Sequence, residues 1–159
     1  MANEDLVSIC MKAENQMLNN DFLDLVDSVQ KIAYLSNEKY FSGEIKIKQL
    51  TGENHLNKAF FNSQAWYVYS DENEKKVSVE IFGNFGKYIY DFKSIILPKQ
   101  VKAPIIFEET YHSLQHALIG FEKVLLFDPR INEWEHEVDE VLKKLFPNYI
   151  IPSKYDLTI

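Results

Sequence analysis

The chain has 159 residues and carries 17 Lys and Arg against 24 Asp and Glu, a formal net charge of −7. Hydrophobic residues make up 46% and aromatics 14%, which excludes a disordered chain and fits one globular domain over residues 1–159. The longest apolar patches, Val124-Leu125-Leu126-Phe127 and Ile95-Ile96-Leu97, fall far short of the roughly 18 residues of a membrane span, so no membrane partner is expected. The start Met1-Ala2-Asn3-Glu4-Asp5 lacks a basic region followed by a long apolar stretch, which predicts a cytoplasmic protein. Cys10 stands alone, leaving no disulfide framework and no multi-cysteine metal site.

Leu6, Val7, Cys10, Met17 and Leu18 follow helical spacing and predict a first helix over residues 3–18. Asn19-Asn20-Asp21 breaks it and offers a cap for a second helix. Phe22, Leu25, Val26, Val29, Ile32 and Ala33 lie on that helix's apolar stripe, and Ser36-Asn37-Glu38 is expected to end it. The two should form an antiparallel hairpin.

From Glu44 the period becomes two. Ile45 and Ile47 alternate with Lys46 and Lys48, the pattern of a half-buried strand. Leu56 to Phe60 suggests a short helix within an irregular stretch. Residues 65–70 and 77–82 predict a hairpin across the polar loop 71–76, and Gly83-Asn84-Phe85-Gly86 turns the chain into a further strand over 87–93. Strands joined by short turns pair antiparallel, so a meander is expected, with residues 45–50 as a fourth strand and Ile105-Ile106-Phe107 as an edge strand. Glu108-Glu109-Thr110 opens a third helix with the stripe Leu114, Ala117, Leu118, Phe121, Val124 and Leu125. Asp128-Pro129 opens a fourth, an Asp cap followed by Pro at the first helical position, with Trp134, Val138, Val141, Leu142 and Leu145 on its apolar face. The apolar tail from Ile150 to Ile159 is expected to pack on the body. The fold class is therefore α+β: an antiparallel sheet of 4–5 strands with a meander core, an N-terminal helical hairpin and two C-terminal helices.

Charge is unevenly placed. Residues 1–40 hold three lysines and seven acids, residues 41–107 nine lysines and seven acids, and residues 108–159 five bases and ten acids. The excess acid therefore sits on the two helical ends. Arg130 is the only arginine. Guanidinium groups favour bidentate contacts to phosphate, so a lone one in an acidic chain argues against direct nucleic-acid binding.

Glu109, His112 and His116 are the candidate metal ligands, since histidines one turn apart can hold one ion beside a carboxylate. The glutamate that follows the first His in zincins is missing, and both His fall opposite the Leu114/Leu118/Phe121 stripe, on the expected solvent side. Glu133, Glu135, His136, Glu137, Asp139 and Glu140 form an acidic cluster on the fourth helix. Asp139–Lys143 and Glu140–Lys144 there are ordinary i,i+4 pairs, and a solvated acidic face is also what a basic partner contacts. Cys10 lies on an apolar stripe and reads as core, so a Cys10–His55 catalytic pair is disfavoured. Gly83–Gly86 joins two strands and lacks a phosphate-loop lysine; no cofactor motif is found and none is expected. Trp66 and Val68 should share one sheet face with Tyr67 and Tyr69 on the other, and Tyr88, Tyr90 and Phe92 should share a face on the next strand. One of these tyrosine faces is a candidate binding surface.

These features predict a non-enzymatic protein-binding module. The expected partner is a basic toxin domain or nuclease whose active site the module occludes, the role that bacterial immunity proteins and antitoxins play. The candidate contact residues are Glu133, Glu135, Glu137, Asp139 and Glu140, with Asp24 and Asp27 of the second helix and Tyr67, Tyr69, Tyr88 and Tyr90 of the sheet. The alternatives are a metal-dependent hydrolase using His112 and His116, and a small-ligand sensor with a pocket between sheet and helices.

Overall fold

The helices expected at both ends of the chain form, but the sheet between them is mixed. The computed structural model describes residues 2–50, 54–57 and 63–150, and the expectation for the tail beyond Ile150 lies outside them. Among the described residues the helices are α1 (Ala2–Leu18), α2 (Phe22–Tyr40), α3 (Ala103–Leu118) and α4 (Pro129–Leu145). The strands are β1 (Ile47–Gln49), β2 (Asn54–Asn57), β3 (Ser63–Asp71), β4 (Lys76–Ile81), β5 (Lys87–Ile89) and β6 (Ser94–Leu97). None of the described helices is long and apolar enough to cross a membrane.

The first two helices form the expected hairpin, with Leu6, Cys10, Ala13 and Met17 of α1 and Leu25, Val26, Val29 and Ile32 of α2 fully or almost fully buried, but Leu18, expected on the α1 stripe, ends the helix at 54% exposure. Asp21 does not cap α2 with its side chain. The backbone closes the turn instead: Asn20 takes a left-handed φ of 59°, and Asp21 N donates to Gln16 O at 2.8 Å. Nor does α2 stop at Ser36. Asn37 stays helical and buried, and its side chain bonds both Ile45 O (2.8 Å) and Ile45 N (3.2 Å), fixing where the chain enters the sheet.

The hairpin between β3 and β4 forms as expected, its loop held by Asp71 Oδ1, which accepts from Asn73 N and Lys75 N, both at 2.9 Å. The meander ends there. Residues 87–93 do not make one strand: β5 stops at Ile89, a 3-10 turn covers Tyr90–Phe92, and Lys93 adopts φ 50°, ψ 47°. This reversal sends Ser94–Leu97 back as β6, antiparallel to β5 and parallel to β4, between the two. The sheet order is β1-β3-β4-β6-β5, with β2 also on β3. All four residues of β6 are buried, as suits an apolar run in an interior strand. Residues 54–57 pair with β3 as a strand where a helix was expected, and the rest of that expected helix, 58–60, lies outside the described residues.

A bulge in β3 changes which side chains share a face. Tyr67 pairs with Ser78 and Tyr69 with Val77, leaving Val68 as the extra residue. Tyr67 and Tyr69 therefore point to opposite faces. Tyr69 joins Trp66 on the helix side, where Trp66 packs on Phe22 of α2 and Tyr69 reaches Ser113 of α3. Tyr67 stays on the other face under Lys76, whose ammonium lies 4.8 Å from its ring centre.

Residues 105–107 are the start of α3 and not an edge strand. Fourteen of its 16 residues are buried, because α1 and α2, the β5–β6 side of the sheet and α4 all pack around it. Gly86 lets the sheet approach this closely, since a Cβ there would stand 2.4 Å from Ile105 Cγ2. The helix ends at Leu118, so Leu118 is exposed while Phe121 and Val124 pack in the following loop. For α4 the expected start is found: Asp128 Oδ1 accepts from Arg130 N at 2.9 Å, with Pro129 at the first helical position.

Candidate functional site

A helix packed on every side has no solvent face, and the polar residues of α3 must therefore find partners inside. His112 and His116 are only 3% and 2% exposed, which corrects their expected place in solvent. They also do different things. His116 Nε2 donates to Glu122 O at 2.7 Å, so its Nδ1 is the acceptor for Tyr88 OH at 2.8 Å. Both ring nitrogens are used, and the Tyr88, Tyr90 and Phe121 rings stand edge-on around the imidazole. Burial, with Lys93 and Arg130 nearby, lowers its pKa below the ordinary value against the opposing pull of the Glu122 carbonyl and Asp91.

A lowered folded pKa means that the unfolded chain takes up the proton first as pH falls. Stability supplied by neutral His116 is thus present above the ordinary histidine pKa and lost as pH drops below it. Chemical denaturation between about pH 7 and about pH 5 is expected to show that loss, and His116→Gln is expected to flatten it. An unchanged slope in the variant would count against the assignment.

His112 turns toward α4. Its Nδ1 donates to Gln115 Oε1 at 2.7 Å, and Gln115 Nε2 donates in turn to Trp134 O at 3.1 Å. This fixes the ring so that Nε2 faces Glu135 Oε1 at 3.2 Å and Glu108 Oε2 at 3.8 Å. Nε2 has no partner of ideal hydrogen-bond geometry and pairs with both carboxylates across these distances. Burial opposes a charged ring here, but Glu108 and Glu135, helped by Glu109, outweigh it and raise the His112 pKa to about 10. Among the described residues, Glu108, His112 and Glu135 form a group whose ligand atoms all lie within 4.8 Å of one another. The sequence pairing of Glu109, His112 and His116 does not assemble. Position 108, one helical turn before His112, is the carboxylate that does, and Glu135 arrives from α4.

The other candidates scatter. Glu133, Glu137 and Glu140 lie exposed along α4, while Glu135 is drawn inward and Asp139 is half-buried. Glu137 also accepts a short hydrogen bond from Tyr111 OH. Lys143 pairs with Glu140 one position nearer than expected, at 3.3 Å. Asp24 is exposed and Asp27 half-buried on a separate helix, α2. Tyr69 and Tyr88 are built into the interior, so the expected shared tyrosine surfaces do not form; Tyr67 and Tyr90 remain half-buried. Tyr90 stacks on Trp134 at 5.8 Å, and Trp134 lies under Arg130. Arg130 is committed to Asp128 (2.7 Å) and Glu122 (3.0 Å). Cys10 is buried and its thiol is pushed up by desolvation, the reverse of what a nucleophile needs.

One surface feature went unread in the sequence. Leu125, Leu126 and Phe127 are 64%, 82% and 91% exposed, directly ahead of the α4 cap. The sequence places Val124 and Leu125 on the stripe of the third helix, but α3 stops at Leu118 and leaves Leu125 exposed in the loop before Asp128. An open cleft of about 610 Å³ lies between the Ile81–Asn84 and Pro98–Gln100 segments. No protein-family model matches the chain, and no curated protein or solved structure matches it either.

Proposed function

We propose that the protein is a non-enzymatic binding module that engages a basic protein through the Leu125–Phe127 loop and the exposed acids of α4. The observation that carries this reading is the exposure of three consecutive large apolar residues beside an acidic helix face. Burial of such side chains is the main source of affinity in an interface, and surrounding charge sets the partner and the rate of encounter. Glu133, Glu137 and Glu140 recur at helical spacing over about 10 Å of α4, a row of carboxylates suited to a cationic surface shaped for a polyanion. A toxin domain or nuclease has such a surface, and occlusion of its active site is the inhibitory role this reading favours. A hydrolase built on His112 and His116 has less support, because both nitrogens of His116 are occupied.

The test compares capture from the native cell by the wild type and by the triple variant Glu133→Lys, Glu137→Lys and Glu140→Lys. The expected result is one basic protein, released by salt from the wild type and not retained by the variant. Equal retention by both would overturn the role of α4, and an acidic partner would overturn the charge argument.

A further inference from the structure

We infer that Glu108, His112 and Glu135 form a binding site for one divalent first-row transition ion, Zn2+ or Mn2+, joining α3 to α4. Two ligands held about 2.1 Å from one ion stand about 3.0 Å apart at a right angle and about 3.4 Å apart in a tetrahedron. The observed separations from Nε2, 3.2 Å to Glu135 and 3.8 Å to Glu108, are close to those values without any ligand having to cross the seam.

Independent observations point the same way. His112 Nε2 is a buried nitrogen without a hydrogen-bond partner, aimed between the two carboxylates. Its other nitrogen is tied to Gln115, which is itself anchored on the Trp134 carbonyl. Metal-ligating imidazoles are held in this way, since the second hydrogen bond sets both tautomer and ring direction. Charge balance is compatible with a dication, which would displace the Nε2 proton and face the two carboxylates in its place. The imidazole selects against Ca2+ and Mg2+, which prefer oxygen alone. Glu108 is sealed from solvent, whereas Glu135 retains 27% side-chain exposure. An ion would therefore enter past Glu135 and keep open positions for water.

The experiment uses the full chain without a histidine tag, stripped with chelator, and titrated calorimetrically with Zn2+ and separately with Mn2+. One ion per chain is expected, together with a rise in thermal midpoint. Glu135→Gln, at the exposed rim, should weaken binding at least about tenfold, whereas Glu72→Gln in the exposed β3–β4 loop should bind as the wild type does. Visible absorption of bound Co2+ gives a second readout, because replacing a carboxylate alters the spectrum even where affinity changes little. Absence of saturable binding of either ion overturns the site, as does binding that Glu135→Gln leaves unaltered in both affinity and spectrum.

Discussion

His112→Leu should lower the stability of the metal-free protein by about 3–5 kcal/mol, because it removes the cation from a buried charge cluster. Leucine approximates the volume of imidazole, so the effect is electrostatic more than steric. Glu108 and Glu109 are 3% and 6% exposed and cannot reach water without opening α3, the helix on which α1, α2 and α4 all rest. Glu135, at the rim, can turn outward and escape part of the penalty. For a chain of this length the loss corresponds to a drop in thermal midpoint on the order of 10 °C. Adding Glu108→Gln to the His112→Leu background should recover part of it, since it takes one negative charge out of the interior. Denaturation of the two variants against the wild type measures this. A loss under about 1 kcal/mol for His112→Leu would mean that the carboxylates are compensated by other groups and that the imidazole contributes little.

That helix is also where sequence reasoning reached its limit. Where an element has one wet face, periodicity is informative. The stripes of α1 and α2 and the Asp128-Pro129 start of α4 are local signals, and the structure realises them except at Leu18, where α1 ends in solvent. In α3 the stripe logic inverts. Both histidines look solvent-facing by spacing, yet each is buried against an element that arrives from elsewhere in the chain. Ser113 Oγ donates to Thr110 O and so receives its second bond from Tyr69 OH, at 2.7 Å across to β3. No window of residues around 113 contains Tyr69.

The sheet shows the same division. The alternation of β1 and the β3–β4 hairpin were readable, since neighbours in sequence are neighbours in space. The parallel pairing of β4 with β6 was not. It depends on one left-handed residue, Lys93, and on the gain from burying Ile95 and Leu97 between two strands. Within Ser94–Leu97, the uninterrupted apolar stretch Ile95–Leu97 carried part of the signal. The Val68 bulge is a finer case. One extra residue reassigns Tyr69 to the core, and nothing in the alternation of residues 65–70 announces it. The metal-ligand group was half legible: His112 stood out by type, while Glu135 belonged in the sequence to an acidic helix face and is turned inward only by the packing of α4 on α3.

Phe127→Ala should weaken capture of the basic partner by about 30-fold or more, the equivalent of about 2 kcal/mol, while leaving the free protein's stability within about 0.5 kcal/mol of wild type. At 91% exposure the ring contributes almost nothing to the core, so any large effect of its removal must be on association. An aromatic side chain carries much apolar area on few rotatable bonds, which is why such residues dominate interface energetics once water is excluded around them. Leu126→Ala should act in the same direction with a smaller loss, being nearly as exposed but smaller. The acids of α4 should behave differently. Glu137→Gln removes a rim charge, so its effect should fall mainly on the association rate and on the salt dependence, whereas Phe127→Ala should act on dissociation. Surface-plasmon kinetics with the captured partner separates the two signatures. Binding by Phe127→Ala within twofold of wild type would remove the loop from the interface and leave the carboxylate row of α4 as a purely electrostatic contact, weak at physiological salt because exposed charges attract little across water.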